Sequence, residues 1–179
     1  MGHVKGMTLL GSVKFLRQRR PDALGVLPPE LHHYLDDRIR PTGWYPEADL
    51  AQLVRATASL IPGPRDQVLE AMGETTAREH AEVYGDLMSG GSSNSRAFAL
   101  WSTQHDTGEL RMAEESPQRV RFDLTGYEDP SRELCLIVQG YLKGTMYMNG
   151  FRDVTAEKLA CRIWGDDRCA WRVTWKETA

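Results

Sequence analysis

Apolar positions recur at helical spacing through the first half of the chain and at alternate positions through much of the second. Leu9, Leu10, Val13, Phe15 and Leu16 mark a helix from Met7 to Arg20, closed by Arg-Arg-Pro. Pro28-Pro29 opens a short helix from Glu30 to about Asp37, and Arg40 to Pro46 reads as a loop that delivers Trp44 and Tyr45. Pro46 suits the first turn of a helix reaching Ile61, with Leu50, Leu53, Val54 and Leu60 as its buried stripe. After Pro62-Gly-Pro64, the longest helix runs from Asp66 to Met88, carrying Val68, Leu69, Met72, Ala77, Ala81 and Tyr84. Ser89 to Ser95 is a glycine- and serine-rich connection, too short for a domain linker, and Arg96 to Gln104 is a further short helix.

From Glu109 the period becomes two. Val120, Phe122 and Leu124 alternate with Arg119, Arg121 and Asp123, a half-buried strand whose hairpin partner is Glu109 to Glu115. Asp129-Pro130-Ser131 starts a helix through about Met148, ended by Asn149-Gly150. Two strands follow, roughly Glu157 to Ile163 and Cys169 to Lys176. The pattern predicts one α+β domain over residues 1–179, with amino-terminal helices on a small, mainly antiparallel sheet. Residues 1–105 are mainly helical, and 109–176 form hairpin, helix and hairpin.

Composition narrows the functions. Of the 179 residues 41% are apolar and 26% charged, an ordinary globular balance, and the net charge is -3. The one basic cluster, Arg17-Gln-Arg19-Arg20, reads as the cationic last turn of a helix, which argues against nucleic acid as a partner. No apolar run is long enough for a membrane span, and the start lacks the apolar stretch of a signal peptide. A cytoplasmic, reducing setting is therefore expected, where three cysteines favour a metal or free thiols over disulfides.

Cys161 and Cys169 flank a Gly165-Asp166-Asp167 turn. Directly opposed residues of an antiparallel pair have Cβ atoms ~4.5 to 5.5 Å apart, close enough for two thiolates to share a tetrahedral zinc. Cys135, in the first turns of the preceding helix, completes a three-sulfur set if that helix packs on the cysteine face, and Glu157, Asp166 or Asp167 is the candidate fourth ligand. Inert buried thiols and thiol redox chemistry remain open alternatives.

Gln139-Gly140-Tyr141-Leu142-Lys143-Gly144 after Cys135, then Cys161, Gly165-Asp166 and Cys169-Ala-Trp171-Arg-Val173, resembles the vinyl-4-reductase domain. The amino-terminal half, with Gly43-Trp44-Tyr45-Pro46, is similar to an uncharacterised bacterial paralogous group. Its fold is related to the haem nitric-oxide-binding-like fold that includes subunits of the TRAPP tethering complex. The resemblance implies a compact, usually dimeric sensory or adaptor domain that signals through partner proteins and encloses a hydrophobic pocket. It also implies a structural zinc on Cys135, Glu157, Cys161 and Cys169. On a straight strand Glu157 lies ~13 Å from Cys161, so the chain must bend there or an aspartate must substitute.

The candidate pocket residues are Trp44, Tyr45, Phe98, Trp101, Tyr141 and Met146, and Gly140 with Gly144 offers a close-packing face for a dimer or for the chain's own elements. Haem sensors need an axial histidine followed by a Tyr-x-Ser-x-Arg motif. His3, His32, His33, His80 and His105 are present without that motif, which argues against haem. No serine elbow, zinc-protease helix or phosphate-cradling loop is present, which argues against an enzyme. The sequence thus points to a non-enzymatic, ligand-binding sensor with a structural zinc. The alternative is a TRAPP-like interaction protein that takes no small molecule.

Overall fold

The computed structural model of the chain describes residues 1–88 and 101–176. A short strand β1 (His3–Lys5) leads into helices α1 (Gly6–Gln18) and α2 (Arg20–Val26), a 3-10 helix (Pro29–Leu35) and strand β2 (Trp44–Pro46). Helices α3 (Glu47–Ser59) and α4 (Arg65–Met88) complete the helical half, and residues 101–104 are again helical. Strands β3 (Glu109–Ser116) and β4 (Arg119–Thr125), helix α5 (Arg132–Met148), and strands β5 (Arg152–Ala160) and β6 (Cys169–Lys176) follow. The fold is α+β, helices first and then hairpin, helix and hairpin.

Four details differ from the expectation, the first being that β5 spans Arg152–Ala160 rather than Glu157 to Ile163, because residues 162–164 close a 3-10 turn. Arg-Arg-Pro ends α1 but also starts α2, because Pro21 is compatible with a helix's first turn. The segment after Pro28-Pro29 closes as a 3-10 helix. Strands β1 and β2 pair antiparallel over three residues each, too short to leave a periodic signature.

The main sheet is antiparallel in the order β3-β4-β6-β5. Val120, Phe122 and Leu124 of β4 pair with Val173, Trp171 and Cys169 of β6, and all six are buried beneath the helices. The opposite face is an ionic lattice: Arg172 bonds Glu115, and Arg121 and Arg168 both bond Asp123.

Helix α5 is the link between sheet and helical layer. The Ser131 hydroxyl caps it by accepting from the Leu134 amide at 3.1 Å. Its glycines lie against α4: a Cβ at Gly140 would collide with the Glu70 carbonyl oxygen, and one at Gly144 would lie 2.9 Å from Ala77 Cβ. Gly73 on α4 makes the reciprocal approach to Ile137. The small-residue face is thus used inside the chain, and Lys143 closes its flank by bridging Glu70 and Glu74, both at 3.1 Å.

Candidate ligand cavity and cysteine cluster

Two polar constellations are built into the apolar core. The first surrounds a cavity of about 90 Å³ between α1, α4, α5 and residues 101–105, with Thr8, His80, Trp101, His105, Tyr127 and Tyr141 in its wall. Beside it, a cleft of about 810 Å³ runs between α1, α3 and α4 and shares Thr8, Leu50, Thr76, His80, Leu134 and Ile137 with it.

Glu47 opens α3 directly after Pro46, where a carboxylate complements the helix's positive end. Its side chain is fully buried. Oε1 meets both His105 Nδ1 and the Tyr127 hydroxyl at 2.6 Å, so two partners converge on one oxygen. The Trp101 indole lies flat on the His105 ring, 3.9 Å between centroids, and donates Nε1–H to the Thr107 carbonyl. Burial first, and then Glu47, pushes the Tyr127 hydroxyl well above the usual phenol range. Across the cavity, His80 sits on α4 with Nδ1 3.3 Å from the Tyr141 hydroxyl. Burial, reinforced by His105, pushes it down to about 4, so this imidazole is neutral at pH 7.

The second constellation lies where the start of α5 meets β6 and the turn before it. Cys135 Sγ is 3.7 Å from Cys161 Sγ and 3.9 Å from Cys169 Sγ, and the last two are 3.9 Å apart. Cys161 and Cys169 are buried and Cys135 is half-buried. Ala160 pairs with Ala170, after which Cys161 leaves the strand and caps a 3-10 turn (Arg162–Trp164) that Gly165 ends at φ 97°. Lys158 Nζ stands 3.3 Å from Cys135 Sγ and 3.4 Å over the Trp171 ring. The hydrogen bond from Cys135 brings the Cys169 thiol down to about 5, helped by the Arg162 amide and Lys158, while the same bond and burial push Cys135 up.

Glu157 stands apart from the sulfurs. It pairs with Arg172 across β5 and β6 on the ionic face, its side chain 71% exposed, whereas the next residue, Lys158, turns to the cysteines. The Asp166 carboxylate accepts the Cys161 amide at 2.7 Å, and Asp167 is exposed. Among the proposed pocket residues, Trp101 and Tyr141 line the cavity. Trp44 is 47% exposed under Lys5, Tyr45 accepts the Arg40 amide, and Met146 packs on the core. Phe98 lies outside the described residues.

Sequence reading missed Glu47, Tyr127 and Lys158. Glu47 looked like an ordinary first-turn acid, and nothing local to Tyr127 distinguishes it. Lys158 was findable only from its pairing with Trp171.

No protein-family profile and no curated protein matches the sequence. Solved structures do. An H-NOX protein from S. oneidensis in the Fe(II)NO ligation state is 14% identical, with TM-score 0.66, over 97% of this chain and 99% of that one. A Cs H-NOX mutant carrying 4-cyano-L-phenylalanine is 12% identical, with TM-score 0.70, over 97% of each chain. An oxygen-binding H-NOX domain related to soluble guanylate cyclases is 9% identical, with TM-score 0.64, over 95% of this chain and 92% of that one.

This corrects two expectations. The vinyl-4-reductase and TRAPP-like assignment gives way to H-NOX domains. The residues that carried it are general devices: glycines where two helices cross, and a Gly165 turn with positive φ. The expectation that haem is disfavoured runs against the same neighbours, one described in an Fe(II)NO state and another through its haem redox potential, and zinc has no support beyond the cysteine trio. The backbone arrangement persists at 9–14% identity, without the Tyr-x-Ser-x-Arg motif in this chain. Over nearly its whole length the chain has the fold of the H-NOX domains.

Proposed function

We propose that the chain is a non-enzymatic sensor domain that takes a haem-type ligand between its helical half and its sheet and signals through a partner protein. The observation that carries this reading is the placement of two imidazoles, His80 and His105, in the wall of one cavity within this fold.

The chain's own residues suit such a group chemically. His80 is neutral at pH 7, so a ring nitrogen keeps its lone pair. His105 has Nδ1 engaged by the Glu47 carboxylate, the arrangement in which imidazole commonly serves a metal through its other nitrogen. The Trp101 indole, stacked flat on His105, gives this wall a planar aromatic surface. Small-molecule sites span roughly 300–1,000 Å³, a range that the adjoining cleft reaches and the inner cavity alone does not. His105 would hold the iron, Glu47 would fix the His105 ring, His80 would face the group from the cavity wall, and Leu134, Ile137 and Leu142 would exclude water. When bound, haem supplies a coordination position for a small gas molecule.

The test is titration of the purified chain with hemin. A sharp Soret band at one equivalent, lost or shifted in His105→Ala, is expected. A spectrum identical to that of free hemin would overturn the proposal.

A further inference from the structure

The cysteine cluster lies apart from the cavity lining and has its own chemistry. The three sulfurs form a nearly regular triangle with sides of 3.7, 3.9 and 3.9 Å, and a cation at its centre would sit about 2.2 Å from each. Each thiol faces the other two, and the further contacts are donors to sulfur, from the Lys158 ammonium to Cys135 and from the Arg162 amide to Cys169. Among the described residues no fourth histidine, cysteine or carboxylate joins the set. The acids near in sequence are otherwise placed: Asp166 holds the Cys161 amide, and Glu157 is on the opposite face. Beside Cys135 stands the Lys158 ammonium, which carries no lone pair for a metal and adds positive charge.

These features discriminate between metals. A closed structural zinc site takes four protein donors in a tetrahedron, and among the described residues none stands at the fourth corner. Thiolates alone, in threes, suit a soft monovalent cation, for which three-coordination is sufficient. Three thiolates with one monovalent cation leave two negative charges, and Lys158 offsets one of them, held in place by its stack on Trp171. We propose that Cys135, Cys161 and Cys169 form a trigonal site for a soft monovalent metal ion of the copper(I) class, with Lys158 as its positioning and charge-balancing neighbour.

The site would also tie three parts of the chain together. Cys135 belongs to α5, Cys161 to the turn after β5, and Cys169 to the start of β6. That turn displays Ile163 and Trp164, 48% and 66% exposed, so occupancy would stiffen the segment that carries them.

The experiment uses the full chain, reduced and free of oxygen, with copper(I) supplied in competition with a chromophoric copper(I) chelator. One equivalent per chain is expected, with an absorption-edge spectrum showing three sulfur neighbours. Cys135→Ser, at the half-buried and hence most tolerant position, should weaken binding by more than the roughly 100-fold that loss of an outer partner costs. Lys158→Met, which leaves every sulfur in place, should weaken it about tenfold. Circular dichroism checks that each variant is folded. Copper retained undiminished by folded Cys135→Ser, or a fourth light-atom neighbour in the spectrum, would overturn the proposal. So would zinc displacing copper(I) at equal concentration.

Discussion

The core contains two groups of polar side chains that differ in kind. Around Glu47 the groups are unlike: a carboxylate accepts from an imidazole and a phenol, and an indole covers the ring. At Cys135, Cys161 and Cys169 the groups are alike: three thiols face one another, with one ammonium at the edge. Unlike groups satisfy each other without help, so the first set is complete as it stands apart from Glu47 Oε2, which has no hydrogen-bond partner among the described residues. Like groups gain little from one another, so the second set draws its worth from whatever binds at its centre.

Breaking the first set should therefore be costly in the ligand-free protein. Glu47→Leu leaves His105 and Tyr127 buried without their acceptor, and an expected loss of about 4 kcal/mol should be read from urea unfolding. The pH dependence sharpens the contrast, because His80 lies on the same cavity. Its folded value of about 4 is below its ordinary 6.5, so the unfolded chain takes up the proton first. The associated stability is complete above pH 6.5 and is lost as pH falls towards 4, by about 3 kcal/mol in all. His80→Gln should flatten that part of the profile.

The cysteine set should respond weakly until a metal is present. Metal-free Cys161→Ala should cost only about 1 kcal/mol, the scale of one buried small group, and added copper(I) should stabilise the parent chain but not the variant. Least affected should be the ionic face. Arg172→Met removes the bond to Glu115 in a setting that water screens, and a thermal melt should show a change below about 0.5 kcal/mol.

These two sets were unequally legible in the sequence. The thiols were visible because cysteine is rare and the Gly165 turn fixes how residues 161 and 169 face each other. The α3, α4 and α5 helices and the β3–β4 hairpin were visible through their periods of 3.6 and two. The Glu47 set was not, because its members are 58 and 80 residues apart in sequence and each alone has an ordinary local explanation. Strands β1 and β2 were hidden for a related reason: three-residue pairings follow from tertiary contact and carry no pattern of their own. Gly140 and Gly144 announced a close approach, yet only the packed chain shows that α4 is the element approached.

Helix α5 touches both sets, with Cys135 one turn from its start and Tyr141 in its middle. Its backbone rests directly on that of α4, with no side chains between them at Gly140 to act as a cushion. A rod seated that way has few independent motions: it slides or turns as a whole, or it stays. The cavity wall and the thiol triangle are thus two marks on the same ruler, and a shift read at one mark is a shift at the other.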